Sequence, residues 1–167
     1  LVTATGTGNT ACGSNALATT SSANNNSAFG ASSLQLNVTG TLNSGFGTFA
    51  LQNNVASSNT ACGDQALRAN TGGGFNVGVG ASALVGNTIG SSNCGLGANA
   101  LQSNTTASGS TAMGDVCLQN STGGANTAFG ASCAQNTSTG GSNCAFGNGA
   151  FSTNTTGTNN SVFGFTA

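Results

Sequence analysis

Apolar positions recur along this chain at a fixed interval. Aligned on Asn-(Thr/Ser)-(Ala/Gly)-apolar-Gly-x-x-Ala-Leu, it divides into units starting at Asn9, Asn26, Asn43, Asn59, Asn76, Asn93, Ser110, Asn126, Asn143 and Asn160. The starts are 17, 17, 16, 17, 17, 17, 16, 17 and 17 residues apart. The fourth position is apolar in every copy: Cys12, Phe29, Phe46, Cys62, Val79, Leu96, Met113, Phe129, Phe146 and Phe163. The fifth is Gly13, Gly30, Gly47, Gly63, Gly80, Gly97, Gly114, Gly130, Gly147 and Gly164. The ninth is Leu17, Leu34, Leu51, Leu67, Leu84, Leu101 and Leu118, then Ala134 and Phe151. One repeat domain over 1–167 accounts for the whole pattern.

A unit of this length is too short for a helix pair, at about 34 residues, or a propeller blade, at about 40. It fits one coil of a solenoid whose turns stack about 4.8 Å apart, with equivalent residues in ladders along the axis. The spacing therefore predicts an all-β fold, a parallel β-solenoid (β-roll) of about ten 16–17-residue coils and roughly 50 Å long. Within each copy positions two to five alternate, as in Thr127-Ala128-Phe129-Gly130, so positions two and four share one face of a strand. The bulky fourth position is expected to fill the core with the Leu ladder. The Ala/Gly face would then lie outside, smooth enough for another sheet or chain to approach. Position-five Gly fits that close approach, or a bend with φ above zero. The opening Asn suits a turn, where stacked Asn side chains bond to backbone and to each other. Segments such as Asn104-Thr105-Thr106-Ala107-Ser108-Gly109 read as surface loops that absorb the one-residue deletions.

Composition narrows the function. The chain has 167 residues, with 28 Gly, no Pro, no His, and Arg68, Asp64 and Asp115 as its only charged side chains. Acid–base and nucleophilic catalysis need titratable groups held close together. Asp64 with Arg68 is the one candidate pair, and a weak exposed contact is the expectation for it. The chain is therefore expected not to be an enzyme and to carry no cofactor, and one Arg gives no electrostatic footprint for nucleic acid. Without Pro or Glu, and with a strict period, the sequence departs from the usual composition of disorder.

The unit Asn-Thr-Ala-apolar-Gly-x-x-Ala-Leu-x-x-Asn-Thr-Thr-Gly, seen most clearly at 59–71, 93–106 and 126–138, resembles repeats of bacterial and viral tail-fibre-like surface proteins. More distantly it is similar to the Ser-Val-Ala-Ile-Gly repeats of trimeric autotransporter adhesin heads, whose units are commonly shorter. The resemblance implies a left-handed parallel β-roll, often trimeric, in the shaft or head of an extracellular or virion-surface fibre.

The six cysteines occupy three repeat positions: Cys12 and Cys62 the fourth, Cys94 and Cys144 the second, Cys117 and Cys133 the eighth. None forms a metal signature. Cys117 and Cys133 alone are equivalent on adjacent coils, within disulfide range, although parallel stacking disfavours the dihedral and buried thiols are the expectation. Sequons at Asn25, Asn37, Asn104, Asn120, Asn136, Asn154 and Asn159 would, if glycosylated, coat the rod. The second-position column mixes Thr, Ser, Val and Cys and is expected to point inward, which argues against ice binding. No apolar stretch reaches the roughly 18 residues of a membrane-spanning helix. Neither Leu1-Val2-Thr3 nor Phe163-Gly164-Phe165-Thr166-Ala167 resembles a polar cap, so the expected partner is the chain itself, head to tail, as a homotrimer, or both. The alternatives are an adhesin or receptor-binding head that contacts glycans or a host surface, and an ice-binding solenoid.

Overall fold

The computed structural model describes residues 6–19 and 22–167; the Leu1-Val2-Thr3 stretch lies outside them. Ten three-residue strands run along the chain: β1 (Thr10–Cys12), β2 (Ser27–Phe29), β3 (Ser44–Phe46), β4 (Thr60–Cys62), β5 (Val77–Val79), β6 (Cys94–Leu96), β7 (Thr111–Met113), β8 (Thr127–Phe129), β9 (Cys144–Phe146) and β10 (Ser161–Phe163). They form one parallel sheet in sequence order, and each strand pairs only with its predecessor and successor. Equivalent repeat positions face one another throughout, as Ala28 faces Gly45 and Phe29 faces Phe46. The fold is an all-β parallel β-solenoid, with no helix among the described residues.

Both 16-residue coils keep that register, since Ser44 still faces Thr60 and Thr111 faces Thr127. The missing residue comes out of the loop. In a 17-residue coil the Asn70 side-chain amide donates to the carbonyl of Gly73, three residues on. In the shorter coil Asn54 reaches Ala56, two residues on.

The two faces of the sheet are the reverse of the sequence expectation. The central residue of each strand from β2 to β9 points inward: Ala28, Ala61, Ala112, Ala128 and Ala145 are fully buried. Position four points out, with Phe29 39% exposed, Phe46 41%, Val79 38%, Met113 43% and Phe163 67%. Cys12 and Cys62 are exposed, and Leu96, Phe129 and Phe146 are half-buried. The column Cys12, Phe29, Phe46, Cys62, Val79, Leu96, Met113, Phe129, Phe146 and Phe163 is thus an outer stripe and not the core.

The reason is the width of the interior. Leu17, Leu34, Leu51, Leu67, Leu84, Leu101 and Leu118 fill it, each at most 2% exposed, with the small residues of position eight beside them. A Cβ on Gly78 would sit 3.3 Å from the Leu67 side chain, so position three holds Ala or Gly in every copy but the last, where it is Val162, and an inward Phe would have no space. The smooth Ala/Gly face is closed against the Leu ladder, which removes it as a packing surface for other chains.

After the strand, left-handed backbone carries the chain around the coil. Gly97 has φ 137° and Gly130 has φ 134°, a region that L side chains rarely adopt. A Cβ on Gly63 would lie 2.5 Å from the carbonyl oxygen of Gly80 in the next coil. Both constraints, the bend and an axial close approach, fix glycine here; lateral access by another chain does not.

Positions seven and nine are left-handed and, apart from Gly149, carry side chains, as at Phe49 (φ 57°) and Leu51 (φ 52°). In this stretch alternate N–H groups close turns, Ala50 to Gly47 and Gln52 to Phe49. The left-handed residues donate to neighbouring coils instead, Phe49 back to Ala31 and Leu51 on to Ala66. Left-handed non-Gly residues cost about 1–3 kcal/mol each, and these axial bonds together with the burial of Leu offset that cost.

Candidate functional site

Two features of the solenoid are candidates for function: its asparagine corners and the outward face of its sheet. Position one forms a continuous buried ladder. Asn26, Asn43, Asn59 and Asn76 are fully buried, and each accepts through Oδ1 the backbone N–H of the next copy, as in Asn43 to Asn26 at 2.9 Å and Asn93 to Asn76 at 2.9 Å. Each also donates to a loop carbonyl of the next layer, Asn26 to Gly40 at 2.9 Å and Asn76 to Gly90 at 2.8 Å. Asn supplies a donor and an acceptor on one short side chain, which is why it opens nearly every unit. Ser110 stands in once, accepting from the Asn126 N–H at a longer 3.3 Å.

A second ladder at position twelve was read from the sequence as surface loop. Asn37, Asn54, Asn70, Asn87 and Asn104 are fully buried, and Asn87 donates to Asn70 at 2.8 Å and Asn104 to Asn87 at 3.0 Å. The ladder stops at Ser121, whose hydroxyl donates to Gly123 and leaves the buried Asn104 Oδ1 without a donor. Asn37 and Asn104 therefore cannot accept glycans in the folded chain, and Asn154 is half-buried. Of the remaining sequons Asn25, Asn120, Asn136 and Asn159 are exposed, and the Asn120 side chain donates to that of Asn136.

The outward face carries positions two and four. Phe29 stacks on Phe46 with centroids 5.2 Å apart and rings 5° from parallel. Phe129 stacks on Phe146 at 4.8 Å, and Phe146 on Phe163 at 5.3 Å. Rings stacked along the axis present edges to solvent, while their faces are used on each other. The second-position column, including Ser27, Thr111 and Thr127, is half-buried on this same outer side, so the inward orientation expected for it is overturned.

Four cysteines lie on this face: Cys12 and Cys62 exposed, Cys94 and Cys144 half-buried. Burial pushes the Cys94 thiol up from its ordinary range. Cys117 and Cys133 are buried free thiols, so the candidate disulfide is not formed. Each thiol instead donates to the position-three carbonyl of the following coil, Cys117 to Ala128 and Cys133 to Ala145. Ser33 makes the same bond to Gly45. The neighbouring Cys133 thiol, followed by burial, pushes the Cys117 thiol far above its ordinary range.

Arg68 does not lean on Asp64. Its guanidinium donates to Gln52 and Gln65 and lies 5.3 Å from the Phe49 ring centre, while Gln65 in turn donates to Asp64. Among the described residues no three His, Cys, Asp or Glu side chains come together, and no helix is long and apolar enough to cross a membrane.

Comparison with protein-family models, curated proteins and solved structures finds no match to this chain. The likeness to fibre repeats rests on the motif residues and the β-solenoid they form.

Proposed function

We propose that this chain is a structural, non-catalytic segment of an extracellular or virion-surface fibre, built by stacking solenoid coils. The observation that carries the reading is the uniformity of the coil-to-coil bonding. From Asn9 to Asn143 each position-one side chain accepts a backbone N–H from the next copy, so each coil is followed by another on the same terms. Such an array gains stability with each added neighbour and transmits load along its axis through backbone bonds. Electron micrographs of the purified chain in native buffer test it: filaments or long rods are expected, and isolated short particles would overturn it.

The exposed Phe column favours a second reading, a module that binds an apolar surface. Edge-on rings do not offer the flat aromatic platform on which a sugar ring stacks, so an apolar partner fits this face better than a glycan. The outward second-position column also returns ice binding to consideration, although the Phe column beside it does not suit a hydroxyl array. Absence of thermal hysteresis would dismiss that alternative.

A further inference from the structure

The outward sheet face is uncharged, because Asp64, Arg68 and Asp115 all lie outside positions two and four. Its fourth position is apolar in ten of ten copies although it is not needed to fill the core. Other surface columns are not held in this way: position seven runs from Asn15 and Gln65 to Phe49 and Gly149. Leu36, Val38, Leu42, Val55, Phe75 and Ile89 are also exposed, but none of their repeat positions stays apolar over more than two adjacent coils, which is ordinary for a protein surface. A continuous apolar stripe along a ten-stranded sheet is different, since exposed patches of that kind mark interaction sites.

From the geometry we infer that this face is where two copies of the chain pack sheet to sheet, side chains of positions two and four against the same positions of the partner. The inference deepens the fibre reading by naming its lateral contact. Ten strands span about 43 Å, and the two columns with their flanks about 14 Å, so each copy would bury about 600 Å² and the pair about 1,200 Å². That area enters the range of specific interfaces. A second copy is the occupant because its ridges repeat at the same interval of about 4.8 Å, so side chains of one sheet seat between those of the other along the full length.

The native cysteines report on the contact without any substitution. The test is sedimentation of the full chain at micromolar concentration, combined with alkylation of Cys62, Cys94 and Cys144. Paired copies are expected, with these thiols alkylated about tenfold more slowly than in a dissociated chain, since reactivity follows exposure. Phe129→Asp and, independently, Thr127→Arg should each return the chain to single copies with an unchanged β spectrum and restore fast alkylation. A wild-type chain that sediments as one copy with freely reactive Cys62, or folded variants that still pair, would overturn the inference. Single-width filaments without pairing would sink the lateral contact and leave the fibre reading standing. Paired short particles would do the reverse.

Discussion

Replacing Asn76 by Ala removes one rung of the buried position-one ladder. Its Oδ1 holds the Asn93 N–H at 2.9 Å, and its amide donates to Gly90 at 2.8 Å. The Gly90 carbonyl keeps a second donor, Asn87, so it is not orphaned. The Asn93 N–H has no substitute inside the corner. Leaving it unpaired costs about 1–3 kcal/mol, and the lost bond to Gly90 adds about 1, for a total of about 2–4 kcal/mol. Asn76→Ser should cost about 1 kcal/mol, because a hydroxyl can still accept the N–H, as Ser110 does from Asn126. Thr105→Ala, on the exposed loop, should change stability by less than about 0.5 kcal/mol. Denaturant midpoints rank the three variants, and hydrogen exchange at the Asn93 amide reads the broken rung directly. An Asn76→Ala chain as stable as Thr105→Ala, with Asn93 still protected, would refute the ladder as a source of stability.

Gly97→Val forces a β-branched residue to φ 137° and drives its Cβ into the Gly114 carbonyl; loss of the β spectrum or of assembly is expected, and normal filaments would contradict it. Val116 is a half-buried β-branched residue at φ 49°, so Val116→Asn should stabilise by about 1 kcal/mol, read as a higher denaturant midpoint. The folded chain keeps Cys117 protonated where a free thiol ionises. Its stabilising effect is thus fully present below about pH 8.5, and above that the unfolded chain sheds a proton the folded one retains. Stability should then fall as pH rises through the thiol range. Cys117→Ser, which can donate to Ala128 as Ser33 does to Gly45, should make the slope shallower.

The period and the fold class were legible because every copy repeats the same spacing, and a solenoid converts spacing directly into register. Alternation in Thr127-Ala128-Phe129 also identified the two faces of the strand, but not which of them is inside. Hydrophobicity pointed to Phe129, and the volume beside Leu118 decided for Ala128. That volume depends on the left-handed turns at Val116 and Leu118, which nothing in the local sequence announces. Asn104 reads as a surface position for a related reason: it carries turn chemistry, and only stacking shows that its side chain is buried in the coil. The bare acceptors of Asn37 and Asn104 each face one of the two 16-residue coils, whose position is legible in the repeat spacing.

Mass per unit length, taken from unstained electron micrographs together with the axial reflection, tests the account most directly. Ten coils at about 4.8 Å spread 15.8 kDa over about 48 Å, so a single rod carries about 3.3 kDa per nm and a sheet-paired rod about 6.6. The account predicts the paired value for the wild-type chain, the single value for Thr127→Arg, and a 4.8 Å axial repeat in both. Filaments without that repeat, or particles with no defined mass per length, would contradict it.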